Sequence, residues 1–198
     1  MSTDNILEKV KELREITGVG FKDCKNAIDE AGGDIDKSIE ILRKKGIAKA
    51  NKRMGRVAAE GLVSIYEENN KFAMIEINSE TDFVAKNKDF ISFCKELSDI
   101  NFETKGDLDK LSNSKMSNNT LVKDNLVNLI AKIGEKITIR RANFFDNKNG
   151  SNFFYVHSAV EKNVGKIISV VKIDGIIKEK NDGVGSKISM HIAASNPL

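Results

Sequence analysis

The sequence predicts an α+β protein: a short all-helical segment first, then a longer stretch in which strands and helices alternate. Three observations carry this. Apolar residues recur at helical spacing through the first 45 residues. From Gly61 the period changes to that of strands. A hairpin followed by a helix then occurs twice, near residues 61–97 and near 153–195, which suggests two related subdomains.

Residues 4–45 read as three short helices. Thr3 or Asp4 can cap the first, and Ile6, Val10 and Leu13 form its apolar stripe. The run Thr17-Gly18-Val19-Gly20 breaks it. The second helix has the stripe Cys24, Ala27, Ile28 and Ala31, and Gly32-Gly33 ends it. Asp34 is placed to cap the third, where Ile35, Ile39 and Leu42 face inward and Gly46 is a stop signal. Residues 44–56, KKGIAKANKRMGR, carry six basic residues and no acid, and read as a partly helical linker.

Strands follow at 62–66 and 72–78, joined by a polar turn. Phe90, Phe93, Cys94 and Leu97 then share a helical face. Residues 101–119 are rich in Ser, Asn, Asp and Lys and read as a mobile connection. Val122, Leu126, Leu129 and Ile133 define another amphipathic helix, stopped at Gly134. Strands are expected at 137–142, 153–158 and 166–173, and a last helix at about 184–195. The domain boundaries expected are 1–46, a basic linker 47–60, a first core subdomain 61–142 and a second, incomplete one at 143–198.

Composition excludes several classes. Hydrophobic residues at 40% suffice for a core, and no apolar run approaches the roughly 18 residues of a membrane span. The start, Met1-Ser2-Thr3-Asp4, lacks the basic and apolar blocks of a signal peptide. Cys24 and Cys94 are isolated on apolar helix faces, as buried thiols of a reducing cytoplasm would be. A net charge of +3 is too small to argue for nucleic acid by itself. The chain has no Walker-type phosphate loop, no nucleophile elbow, and two histidines, His157 and His191, without a second ligand at metal spacing. The expectation is therefore a protein that is not an enzyme, with no cofactor, no metal and no nucleotide site of its own.

One stretch stands out. Thr81-Asp82-Phe83-Val84-Ala85-Lys86-Asn87 pairs a carboxylate with a large aromatic ring at a corner between a strand and a helix. Two readings are open from the residues. Phe83 packs inward and Asp82 caps the next helix, or Phe83 is an exposed probe that enters another molecule.

Several stretches together resemble the elongation factor Ts family. They are VKELREITGVGFKDCKNAIDEAGGDIDKSIEILRKKG at 10–46, EINSETDFVAKN at 76–87, LIAKIGEKITIRR at 129–141 and MHIAASNP at 190–197. The resemblance covers nearly the whole chain and implies a ubiquitin-associated-like three-helix bundle followed by a two-part α+β core. It implies a guanine nucleotide exchange factor that binds elongation factor Tu, a GTP-binding protein, in translation elongation in the cytoplasm. In that family the aromatic matching Phe83 wedges near the partner's magnesium site. The acid matching Asp82 hydrogen-bonds there, and Thr81 and Val84 shape the corner. Arg14, Phe21 and Lys22 match residues of the first domain that dock on a partner helix, where family members often have Met at the positions of Phe21 and Lys22. His157 matches a partner-contacting His of the second half. Longer members continue past the last landmark, so a truncated chain is expected, with a natural short form, and a homodimer, as the alternative. The alternative function is an RNA- or ribosome-binding module using residues 44–56.

Overall fold

The structure is a computed structural model that describes residues 3–175 and 178–195, with side chains over 5–175 and 183–195. Capping by Thr3 or Asp4, and Asn196-Pro197 of the last landmark, lie outside the described residues and side chains. Two compact units form, Met1–Val57 with Lys123–Lys136, and Ala58–Val122 with Ile137–Leu198.

The first unit contains α1 (Thr3–Thr17), α2 (Phe21–Glu30) and α3 (Ile35–Arg53). The predicted stripes meet in one core of Val10, Leu13, Cys24, Ala27, Ile28 and Leu42, with Ile6, Ile35 and Ile39 packed against it. The second turn runs through Gly32 and Gly33, and Asp34 then caps α3 by accepting a hydrogen bond from Lys37 N at 3.0 Å. Burial pushes the Cys24 thiol up, although a hydrogen bond with Thr17 opposes the shift. It is a packing residue rather than a reactive one.

Helix α3 does not stop at Gly46. That residue is buried mid-helix, and the helix continues through Arg53. The reason is packing: a Cβ on Gly46 would lie 3.3 Å from Ala131 Cβ and 3.7 Å from Val127 Cγ1. Both belong to α6 (Val122–Ile133), which joins this unit although the pattern assigned it to the first core subdomain. The Arg53 guanidinium donates to Ile130 O at 3.4 Å, and Lys136 Nζ donates to Met54 O and Arg56 O at 2.7 and 2.8 Å. The unit boundary at Val57 falls within the stretch read as a linker.

The second unit is built on two sheets. β1 (Glu60–Glu68), β2 (Lys71–Ser79), β3 (Ile137–Asp146) and β5 (Val164–Gly165) form an antiparallel sheet in the order β3-β2-β1-β5. β4 (Gly150–His157) pairs with β6 (Ile167–Asp174) in a second, two-stranded one. α4 (Lys88–Thr104) covers β1 and β2, and α7 (Lys178–Ser195) covers β4 and β6. The hairpin-then-helix pattern therefore appears twice, as the sequence predicts.

The attachment of α4 is both apolar and polar. Phe90, Phe93, Cys94 and Leu97 are buried. Ser64 Oγ donates to Cys94 O at 2.6 Å, and Asn101 Nδ2 donates to Met74 O and Asn143 O at 3.1 and 3.3 Å. Tyr66, Phe102 and Phe144 stack in sequence at 5.0 and 5.5 Å between centroids. Desolvation drives the Cys94 thiol far up, so it stays protonated.

Residues 101–119 are thus not a mobile connection. α4 runs to Thr104, and α5 (Leu108–Asn113) follows with Asp107 as its cap, accepting from Asp109 N and Lys110 N at 3.1 and 3.0 Å. Leu111 and Met116 are buried. Polar composition misleads here because Asn101 and Asp107 bond to backbone groups rather than to water.

β3 carries a bulge. Glu76 sits opposite Arg141 and Ile77 opposite Ile139, so Arg140 is the extra residue. Adjacent strand residues normally face opposite ways. The bulge lets both arginines reach Glu76, with Arg140 at 2.8 Å from Oε1 and Arg141 at 2.5 Å from Oε2. Burial raises the Glu76 carboxyl, but the hydrogen bonds from Arg140, Arg141 and Asn78 outweigh it and hold the group below its usual value. In α7, a Cβ on Gly185 would fall 2.1 Å from the Phe153 ring, so the helix can approach β4 only without a side chain there. Ser189 is buried one turn later, and its carbonyl accepts from Ser169 Oγ at 2.5 Å.

Two expectations follow from this packing. Gly46→Ala is near neutral, because the gain in helix propensity offsets a tight contact, while Gly46→Leu costs about 1–3 kcal/mol by overpacking. Urea unfolding of the two variants checks this. Glu76 has a folded pKa below its unfolded one, so its contribution is full above the unfolded value, about 4.3. It is lost as pH falls through the folded value. Glu76→Gln should therefore be less stable than wild type at pH 7, and the gap should close towards pH 3, measured by urea midpoints at both.

Candidate functional site: an exposed aromatic corner

Residues 80–87 connect β2 to α4, and both ends are anchored. Ser79, the last residue of β2, is buried, and its hydroxyl donates to Thr81 O at 3.0 Å. Val84–Lys86 form a single 3-10 turn, closed by Lys86 N to Phe83 O at 3.1 Å and Asn87 N to Val84 O at 2.9 Å. Asn87 Oδ1 then accepts from Asp89 N and Phe90 N at 2.9 and 3.2 Å. The cap of α4 is therefore Asn87 and not Asp82.

Within the turn Val84 and Ala85 point inward, at 4% and 1% exposure, while Phe83 is 75% exposed. The backbone at Phe83 is ordinary helical, φ −62° and ψ −37°, so no strain forces the ring out. Full burial of a Phe would stabilise the fold by roughly 1.5–3 kcal/mol, and the corner forgoes that. Beside the ring, Asp82 is exposed, and Lys86 Nζ lies 3.8 Å from its carboxylate and 5.9 Å from the ring centroid. The inward-packing reading of Phe83 is overturned by its exposure.

In the first unit Arg14 and Lys22 are exposed and Phe21 is 42% exposed. They flank the 17–20 turn, where Gly18 N donates to Arg14 O at 2.8 Å and Gly20 precedes α2 without a side-chain cap. Ile16, in the last turn of α1, is 57% exposed and is not among the residues the sequence singles out. Its signal is that it is a large apolar residue off the stripe of Ile6, Val10 and Leu13.

In the second unit His157 ends β4, opposite Ile167 of β6, and is exposed. Its Nδ1 lies 3.4 Å from Tyr155 Oη, and its carbonyl accepts from Lys166 N at 3.1 Å. The following loop is tied back by Ile65 N to Asn163 O at 3.0 Å and by an ion pair between Glu161 and Lys95 of α4. Exposed Val160 and Ile167 adjoin His157 in the chain and across the strand pair. The structure thus sets Thr81, Asp82, Phe83 and Val84 on one corner and His157 on a strand end of the second unit, and Arg14 on one side and Phe21 and Lys22 on the other side of the 17–20 turn in the first.

Among the described residues no group of three His, Cys, Asp or Glu is arranged to hold a metal ion. No helix among them is long and apolar enough to cross a membrane. The corner displays an aromatic and a carboxylate beside the buried Val84 and Ala85.

A family model described as Elongation factor TS matches residues 80–198, from just before this corner to the last residue. The chain belongs to the elongation factor Ts family. Proteins named Elongation factor Ts from Methylobacterium sp. (strain 4-46) and Xanthobacter autotrophicus are each 44% identical over 191 residues, covering 96% of this chain and 62% of the relative. The one from Gluconobacter oxydans is 41% identical over 191 residues, covering 95% of this chain and 63% of the relative. The chain thus spans somewhat under two thirds of the length of these family members.

The corner predicts a division of labour. Phe83→Ala should leave stability within about 0.5 kcal/mol of wild type, because the ring makes little core contact. Val84→Ala, one residue on, should cost about 1–3 kcal/mol through the cavity it leaves. Thermal unfolding of both variants reads the contrast.

Proposed function

We propose that this chain is a guanine nucleotide exchange factor that binds elongation factor Tu with GDP bound and promotes GDP release in translation elongation. The observation that carries the reading is the 75% exposed Phe83, held on a turn whose neighbours Val84 and Ala85 are buried. Membership of the elongation factor Ts family supplies the partner. Phe83 enters the GTP-binding domain near the magnesium end of the nucleotide site, and Asp82 takes a hydrogen bond beside it. Magnesium is held by few protein groups together with phosphate oxygens and waters, so a small displacement of its surroundings weakens nucleotide binding.

The thermodynamics define the role. The factor must bind the nucleotide-free partner more tightly than the nucleotide-bound one, and bound nucleotide must then weaken the factor by the same ratio. Burying Phe83 supplies roughly 1.5–3 kcal/mol, which is about ten- to a hundred-fold of that ratio. The remainder comes from docking elsewhere: Arg14, Phe21 and Lys22 on one unit, and His157 on the other. Thr81 and Val84 keep the corner in shape.

RNA binding through residues 44–56 has less support. Lys44 pairs with Glu40, Lys45 with Glu30 and Lys49 with Asp23, which balances half of that basic stretch locally. Each such exposed pair is weak, but together they blunt the positive field a phosphate backbone would meet.

Release of labelled GDP from elongation factor Tu tests the proposal. The chain should accelerate release, and Phe83→Ala should slow the stimulated rate at least tenfold while weakening docking less. No acceleration by the chain, or unchanged stimulation by Phe83→Ala, would sink it.

A further inference from the structure

Lys86 is the charged neighbour that this reading leaves without a task. It closes the 3-10 turn, and its backbone N–H already bonds to Phe83 O at 3.1 Å. Its ammonium lies 3.8 Å from Asp82 Oδ2 and 5.9 Å from the centre of the Phe83 ring. One cation therefore lies within ion-pair and cation–π range of both side chains that would enter the partner. The side chain of Lys86 is 72% exposed and that of Asp82 is 54% exposed, so the fold itself needs neither contact.

We propose that Lys86 is a positioning residue for the corner: it holds the Asp82 carboxylate and the Phe83 ring in one relative arrangement before the partner arrives. The proposal rests on the probe reading of Phe83. An exposed Phe and Asp each have several rotamers, and selecting one of them on docking opposes association. A cation placed over a ring face and beside a carboxylate removes part of that freedom beforehand. Each contact is weak at an exposed site, and the pair together accounts for a change of about two- to tenfold.

The form of the effect is distinctive. A contact made in the free factor and kept through docking shifts ground-state and transition-state binding equally. It changes the concentration of factor that half-saturates GDP release and leaves the maximal rate unaltered. The carboxylate half of the contact is screened by salt, so the advantage should shrink at high ionic strength.

The test measures labelled-GDP release from elongation factor Tu against factor concentration, using wild type, Lys86→Met, Lys86→Arg, Phe83→Ala and Phe83→Ala with Lys86→Met. Lys86→Met should raise the half-saturating concentration about two- to tenfold with an unchanged maximal rate. Lys86→Arg should recover to within about twofold of wild type, since a guanidinium pairs with a carboxylate and stacks on a ring. In the Phe83→Ala background, Lys86→Met should have a smaller effect, because one of its two targets is gone. An unchanged half-saturating concentration for Lys86→Met, an equal loss in both backgrounds, or a matching fall in thermal midpoint overturns the positioning role. Normal stimulation by Phe83→Ala would instead overturn the probe reading on which it rests.

Discussion

The docking of α4 on the β1–β2 hairpin is the interaction on which the larger unit depends. It is held at three levels along the helix: Phe90 and Phe93 at the start, Ser64 bonded to the Cys94 carbonyl in the middle, and Asn101 bonded to two strand carbonyls near the end. Because the helix and the strand are both fixed, the short connection between them has little freedom. Ser79 anchors one end and Asn87 the other. Val84 and Ala85 fill the remaining inward positions, and Phe83 is left outside. The display of the aromatic is thus a consequence of how the helix sits, and it requires no backbone strain at the corner.

The same logic repeats with different chemistry in the second half. α7 also lies on a strand pair, but it approaches so closely that Gly185 stands against the Phe153 ring, and the small Ser189 is buried one turn on. One helix is fixed by aromatic bulk and amide hydrogen bonds, the other by the absence of bulk. The two halves thus share a helix-on-strand-pair arrangement held by different side chains.

Much of this was legible from the residues. The three N-terminal stripes met in one core as their periodicity required, and the hairpins fell where strand spacing appeared. Position-specific exceptions were not legible. Gly46 reads as a helix stop because glycine is a poor helix former, yet it is there to let another helix in, and the partner helix lies far away in sequence. Asn101 reads as loop because asparagine is polar, yet its polarity is used against backbone carbonyls inside the unit. The exposure of Phe83 was undecided by its own tetrapeptide, because the outcome turns on which neighbours take the inward positions. The contact of Lys86 with both Asp82 and Phe83 needed coordinates, since spacing alone suggests only the i, i+4 ion pair.

The seat of α6 against Gly46 has a consequence in time. The N-terminal helices leave the ribosome first, but the helix that completes their unit is made only after residues 58–122 have been added. At roughly 5–20 residues per second, that is a delay of about 3–13 seconds. During it Gly46 of α3 and the Val127 and Ala131 side chains it will meet are apart. The unit must also close a long loop before the contact is gained, which slows its final step relative to the local helix pairs. The nascent chain thus carries α1, α2 and α3 for that interval before α6 exists, and the order of synthesis sets how long the interval lasts.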